Sequence, residues 1–112
     1  MFPNDMQDKC VDYIDQGESI RKMYAKYNTN VVPVYCFDKL MRHRDEYLYF
    51  RTDHHWNGIG AYYAYESFCE TKGITPYTME QRKLVTFGGF VGSLCTDTNK
   101  DSALLPADTV YA

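Results

Sequence analysis

The period of the apolar positions changes several times along this chain, and each change marks an element. Met6, Cys10, Tyr13 and Ile14 fall at helical spacing after Asn4 or Asp5, either of which can cap a first helix, and Gly17 interrupts it. Residues 18–27 resume the helical pattern, with Ile20, Met23, Tyr24 and Tyr27 on one stripe. Asn28-Thr29-Asn30 ends that stripe, because Asn tolerates left-handed geometry. Residues 31–37 are nearly all apolar and rich in Val, which predicts a buried strand with Pro33 near its start. Asp38 can cap a short helical turn carrying Leu40 and Met41, and residues 46–51 form the next predicted strand. Residues 58–72 return to helix, with Ala61, Ala64, Tyr65, Phe68 and Cys69 on one apolar face and Gly73 as the stop. A short helix over 78–84 follows, then a glycine-bearing strand over 85–95, a polar turn over 96–102 and an edge-like strand over 104–111. This order predicts an α/β sandwich with helices on a partly parallel sheet.

Composition narrows the classes. A chain of 112 residues has room for one domain, and 45% hydrophobic with 24% charged residues is globular composition. A net charge of −3 without a basic cluster argues against a nucleic-acid surface, because phosphate binding needs a concentrated positive field. Arg42 and Arg44 flank His43, which reads as solvated surface, and Asp45 and Glu46 follow at once. The 11 tyrosines against one tryptophan suit either carbohydrate stacking or half-buried strand and helix faces. Cys10, Cys36, Cys69 and Cys95 show no close pairs, so a structural zinc site is not expected. Cys36 and Cys69 read as small buried hydrophobes, and any pairing of the four stays open. The first residues lack the pattern of an export signal, and no stretch reaches the ~18 apolar residues that span a bilayer.

Chemistry concentrates at residues 53–56, Asp53-His54-His55-Trp56, between a predicted strand and a predicted helix. In open α/β sheets functional groups gather at such junctions. Asp53 lies two residues before His55, so its carboxylate either accepts a bond from His55 Nδ1–H, leaving Nε2 as a base, or caps the following helix. Trp56 would wall the site, while Gly58 and Gly60 would let backbone or substrate approach closely. Metal binding by Asp53, His54 and His55 is a further reading, but adjacent histidines on an extended segment point to opposite faces. Neither a metal nor another cofactor is therefore expected.

Thr52-Asp53-His54-His55-Trp56, followed by Gly60-Ala61-Tyr62-Tyr63-Ala64-Tyr65, resembles the signature of the bacterial DHHW protein family. That family is similar in turn to the SGNH-hydrolase-like domain of the alginate O-acetyltransferases, whose motif reads Asp-x-His-Trp. The resemblance implies a three-layer SGNH-hydrolase-like fragment, a partly parallel sheet with flanking helices, as a single incomplete domain over residues 1–112. It implies Asp53 as orienting residue and His55 as base of a Ser-His-Asp triad, with His54 at the variable position and no inherited role. Trp56, Gly58 and Tyr62 would bind substrate.

The triad's serine would come downstream of the chain. Within it, Ser93 after Gly92 is the only local candidate, and the Leu94-Cys95 continuation reads as strand instead of the sharp turn a nucleophile needs. The implied function is a fragment of an extracellular or cell-envelope esterase or O-acyltransferase, with a polysaccharide or acyl ester as substrate. The alternative is a non-catalytic module of the same fold that binds carbohydrate or protein.

Overall fold

Asp15 starts the first helix, α1 (Gln16–Tyr24): its side chain accepts from the Glu18 N–H at 2.8 Å, satisfying a donor that no helical carbonyl can reach. The computed structural model describes residues 15–81, 83–97 and 106–112. The helix expected around Met6, Cys10, Tyr13 and Ile14 lies outside them, as does most of the polar turn after residue 97. Gly17 is not a break but part of the first turn of α1, buried against Phe37 and Tyr35. Then come α2 (Phe37–Arg42), α3 (Gly58–Lys72), a single 3₁₀ turn (Met79–Gln81), β1 (Thr86–Phe90), α4 (Ser93–Asp97) and β2 (Asp108–Tyr111). None of the described helices is long and apolar enough to cross a membrane.

The three-layer α/β expectation is overturned. Among the described residues there are four α-helices and one two-stranded antiparallel sheet, with Thr86 opposite Tyr111 and Phe87 opposite Val110. Residues 31–37 form no strand, since no second strand among the described residues lies alongside to take their backbone groups. Residues 31–36 run without regular structure beside α1, where the Tyr24 hydroxyl donates to the Val34 carbonyl at 3.2 Å and Val32 is 70% exposed, and Phe37 opens α2. Residues 46–51 pair only through one antiparallel bridge, Tyr49 with Trp56, because the chain doubles back on itself at once. A parallel sheet needs crossover connections of a dozen residues or more, and a partner this near in sequence is antiparallel by necessity.

α3 has the predicted bounds and stops at Gly73, which holds the left-handed φ of 67° that glycine adopts without strain. The face it buries differs. Gly60, Tyr63, Ser67 and Cys69 are buried, whereas Ala61 and Phe68 are exposed. Gly60 turns that stripe inward: a Cβ there would lie 2.6 Å from the Leu48 carbonyl oxygen, so the helix approaches the preceding segment to a distance only glycine permits. Leu40, Leu48 and Tyr63 form the core, with Cys36, Tyr49, Ile59 and Tyr62 packed on it. Buried Lys39 on α2 reaches Glu70 at 2.5 Å and Glu66 at 3.4 Å on α3, a charge that is tolerable inside because it is paired. His43 is not merely solvated: its ring stacks on Tyr63 at 3.8 Å and Nδ1 lies 2.7 Å from Glu46. Cys36 and Cys69 are free thiols, and both Cys69 and Cys95 are buried.

β2 is tied to the middle of the chain by Asp108, whose side chain is wholly buried. Its carboxylate accepts from the Tyr47 hydroxyl, from the Arg51 N–H at 3.0 Å, and from the Thr52 N–H and Oγ–H at 2.8 and 2.6 Å. Burial alone would raise the Asp108 pKa, but the donors from Thr52, Tyr47 and Arg51 outweigh it and hold it below the ordinary value. The folded chain therefore binds this proton less readily than the unfolded chain does. The resulting stabilisation is complete above the unfolded value of about 4 and is lost as pH falls through the lower folded value. Asp108→Ala strands the Thr52 and Arg51 donors inside and is expected to cost about 3 kcal/mol or more in urea unfolding at neutral pH. Acid titration should show the wild type losing stability below pH ~4 and the variant losing less.

Candidate functional site

The loop that carries Asp53, His54 and His55 is closed at its base by backbone bonds. The Phe50 N–H donates to the His55 carbonyl at 3.2 Å and the Asn57 N–H to the Leu48 carbonyl at 2.8 Å. Asn57, buried, then caps α3: Oδ1 accepts from the N–H groups of Ile59 and Gly60 at 2.9 and 3.2 Å, while Nδ2 donates to the Tyr47 carbonyl at 2.6 Å. With the cap of α3 supplied by Asn57, Asp53 is left for other contacts. The chain bends between residues 51 and 55 and is not extended there, so His54 and His55 do not alternate between faces. Their rings lie side by side with centroids 4.0 Å apart, at 37°.

Asp53 uses its two oxygens separately. Oδ1 lies 2.5 Å from His55 Nδ1 and accepts the His55 N–H at 3.0 Å. Oδ2 accepts the Ser93 N–H at 3.1 Å and the Ser93 hydroxyl at 3.2 Å. The Asp53 side chain is 11% exposed, whereas those of His54 and His55 are 64% and 66% exposed. The Ser93 N–H, then the bonds from His55, hold the Asp53 carboxyl well below the usual carboxylate range, so it is an anion at neutral pH. A carboxylate on Nδ1 fixes the tautomer that leaves His55 Nε2 with its lone pair outward, able to take a proton.

Ser93 comes to Asp53 from 40 residues away because residues 91–97 turn, where a strand was expected to continue through Leu94 and Cys95. Residues 93–97 form α4, and Ser93 is its first residue. The Gly92 N–H donates to Thr52 Oγ1 at 2.9 Å and the Leu94 N–H to the Thr52 carbonyl at 3.0 Å, which seats this turn on the residue before Asp53. The Ser93 hydroxyl also lies 3.3 Å from His54 Nδ1. That is not the arrangement of a triad nucleophile. There the carboxylate holds one ring nitrogen and the hydroxyl the other, whereas here the hydroxyl rests on the carboxylate itself.

The local serine was visible in the sequence, but its contact with Asp53 was hidden behind the mistaken strand. Thr52 and Asn57 offered no pattern that distinguishes a support from a surface residue, and Asp108 is remote in sequence.

Trp56 is 43% exposed and leaves both imidazoles open to solvent. Gly58 and Tyr62 line a cavity of about 650 Å³ with Ile59, Met79, Leu84 and Tyr111, and neither Asp53 nor His55 borders it. The structure thus joins Asp53 to His55 and places Gly58 and Tyr62 on a separate hollow. One ligand atom from each of Asp53, His54 and His55 falls within 4.8 Å of the others. Two ligands of a tetrahedral zinc ion stand roughly 3.4 Å apart at ordinary bond lengths. The 2.5 Å between Asp53 and His55 is therefore a hydrogen bond that an ion would have to open.

The described residues thus form helices and one two-stranded antiparallel sheet, with a carboxylate–imidazole pair on an anchored surface loop. The DHHW protein family matches residues 3–112, and the chain belongs to that family. It is similar to the crystal structure of a DHHW family protein from Eubacterium siraeum DSM 15702, at 31% identity and a TM-score of 0.77. The match covers 99% of this chain and 36% of that one, so the chain spans about a third of the length of that relative. No curated protein matches the chain.

Gly92 gives the sharpest structural test of how the site is held. A Cβ there would lie 2.6 Å from the Thr52 carbonyl oxygen and 2.7 Å from Asp53 Oδ2, whereas one at Gly88 would meet nothing within 4 Å. Gly92→Ala is expected to destabilise by about 2 kcal/mol in chemical denaturation. Gly88→Ala should stay within about 0.5 kcal/mol of wild type.

Proposed function

We propose that this chain carries the acid–base pair of a cell-surface esterase or O-acyltransferase that acts on an acylated glycan. The observation that carries the reading is the 2.5 Å contact between Asp53 Oδ1 and His55 Nδ1, in a His55 side chain that is 66% exposed. The likeness of residues 52–56 to the motif of the alginate O-acetyltransferases supplies the reaction class and the location. In this reading the nucleophilic serine lies outside the described residues. Its Oγ attacks the ester carbonyl and its proton passes to His55 Nε2. Asp53 stabilises the imidazolium that forms, and the same proton then goes to the departing sugar oxygen. Water or a second sugar hydroxyl afterwards takes the acyl group from the serine by the same route.

Ester hydrolysis by the complete gene product, assayed on p-nitrophenyl acetate and on an acetylated polysaccharide, is the test. His55→Ala is expected to lower kcat/KM by about 10³-fold or more, and Asp53→Asn by about 10²-fold or more, through the lost orientation of the imidazole. His54→Ala should stay within about tenfold of wild type. Equal activity in the two histidine variants would exclude His55 as the base, and retained glycan binding with no hydrolysis in any form would favour a binding module.

A further inference from the structure

We propose that the Ser93 hydroxyl is a positioning bridge, donating to Asp53 Oδ2 and accepting from His54 Nδ1–H, so that it sets both the plane of the carboxylate and the tautomer of His54. The proposal rests on the reading of Asp53 and His55 as a working pair, and extends it to the two residues left without a role.

Rotation about the terminal bond of an aspartate is broad and roughly two-fold, so contact with His55 through Oδ1 alone leaves the carboxylate loosely aimed. Both bonds to Oδ1 come from within two residues, and move with the loop. The bonds to Oδ2 come from the β1–α4 turn, at 3.1 Å from Ser93 N and 3.2 Å from Ser93 Oγ, and fix the carboxylate to a separate element. That turn is in turn held by Thr52, which Asp108 holds from β2. A hydroxyl has one proton to give and lone pairs to receive. Asp53 is anionic and can only accept, so the Ser93 proton goes to Oδ2 and the hydroxyl oxygen is left to receive the proton on His54 Nδ1 at 3.3 Å. His54 Nδ1 also lies 3.8 Å from Asp53 Oδ1, which favours the same placement of the proton. With both protons on Nδ1, each imidazole keeps its lone pair on Nε2, and the two rings lie side by side with centroids 4.0 Å apart.

The test is heteronuclear NMR of the imidazole nitrogens and aspartate carboxyls in the 112-residue chain, as wild type, Ser93→Ala and Ser93→Thr. The wild type should show His54 with its proton on Nδ1. In Ser93→Ala the His54 signals should move toward the Nε2–H form, and the Asp53 carboxyl midpoint should rise by about one pH unit for one lost charge-assisted bond. Ser93→Thr should restore both. Unchanged His54 nitrogens and an unchanged Asp53 midpoint in Ser93→Ala, with the amide spectrum of α3 intact, would overturn the bridge. Should that variant not fold, the wild-type spectrum decides, because His54 protonated on Nε2 excludes it. In the complete gene product, Ser93→Ala should lower kcat about tenfold with KM within about twofold. Absence of esterase activity would count against the proposed function, while the NMR result judges Ser93 independently.

Discussion

The buried carboxylate of Asp108 is the contact on which the rest of this structure depends. A small chain with a core of Leu40, Leu48 and Tyr63 has little apolar surface to fix its loops. Asp108 does so with directional bonds, binding the backbone of Arg51 and Thr52 and the side chains of Tyr47 and Thr52 from a strand more than 50 residues away. A buried anion is stable only if its oxygens are fully engaged, and such an anion is intolerant of displacement. Thr52 is wholly buried, with its N–H and hydroxyl bonded to β2 and its hydroxyl and carbonyl bonded to the turn at Gly92–Leu94.

From Thr52 the constraint passes to the site in one residue. Its N–H and Oγ–H face β2, while its Oγ and carbonyl receive the N–H groups of Gly92 and Leu94. Asp53 follows directly and receives Ser93 from the same turn. Gly92 is what permits this approach, since its hydrogen occupies the space that a methyl group would contest with the Thr52 carbonyl and the Asp53 carboxylate. The strand register, the turn and the carboxylate are thus one mechanical unit, although they lie in three separate parts of the sequence.

The legible parts of the chain were those governed by local rules. Helix α3 kept its predicted limits because Gly73 and the long periodic run are local signals, and Asp53 with His55 was legible because a two-residue spacing is itself a distance. The parts that failed were those where an apolar run had to find a partner. Residues 31–37 have strand composition but no neighbouring strand among the described residues, and composition carries no information about what lies alongside. The buried face of α3 was misplaced for a related reason: side-chain hydrophobicity pointed to Phe68, whereas close backbone contact at Gly60 decided which stripe turns inward. Asp108 and Ser93 were invisible as supports because their partners are 40 to 61 residues distant.

Exposure explains why the site needs so much support. A carboxylate and an imidazole attract each other weakly across water, and side chains open to solvent have freedom to lose when they are fixed. In a buried triad the surrounding core supplies both the low dielectric and the rigidity. Here the imidazole of His55 is 66% exposed, and neither is available from packing. The hydrogen bonds on Asp53 from the Ser93 main chain and side chain supply rigidity instead, and they help to keep the carboxylate ionised. Preorganisation of this kind is useful only if something later excludes water from Nε2, where electrostatic stabilisation becomes strong. An anchored anion beside an exposed imidazole therefore has its geometry set by hydrogen bonds and not by packing.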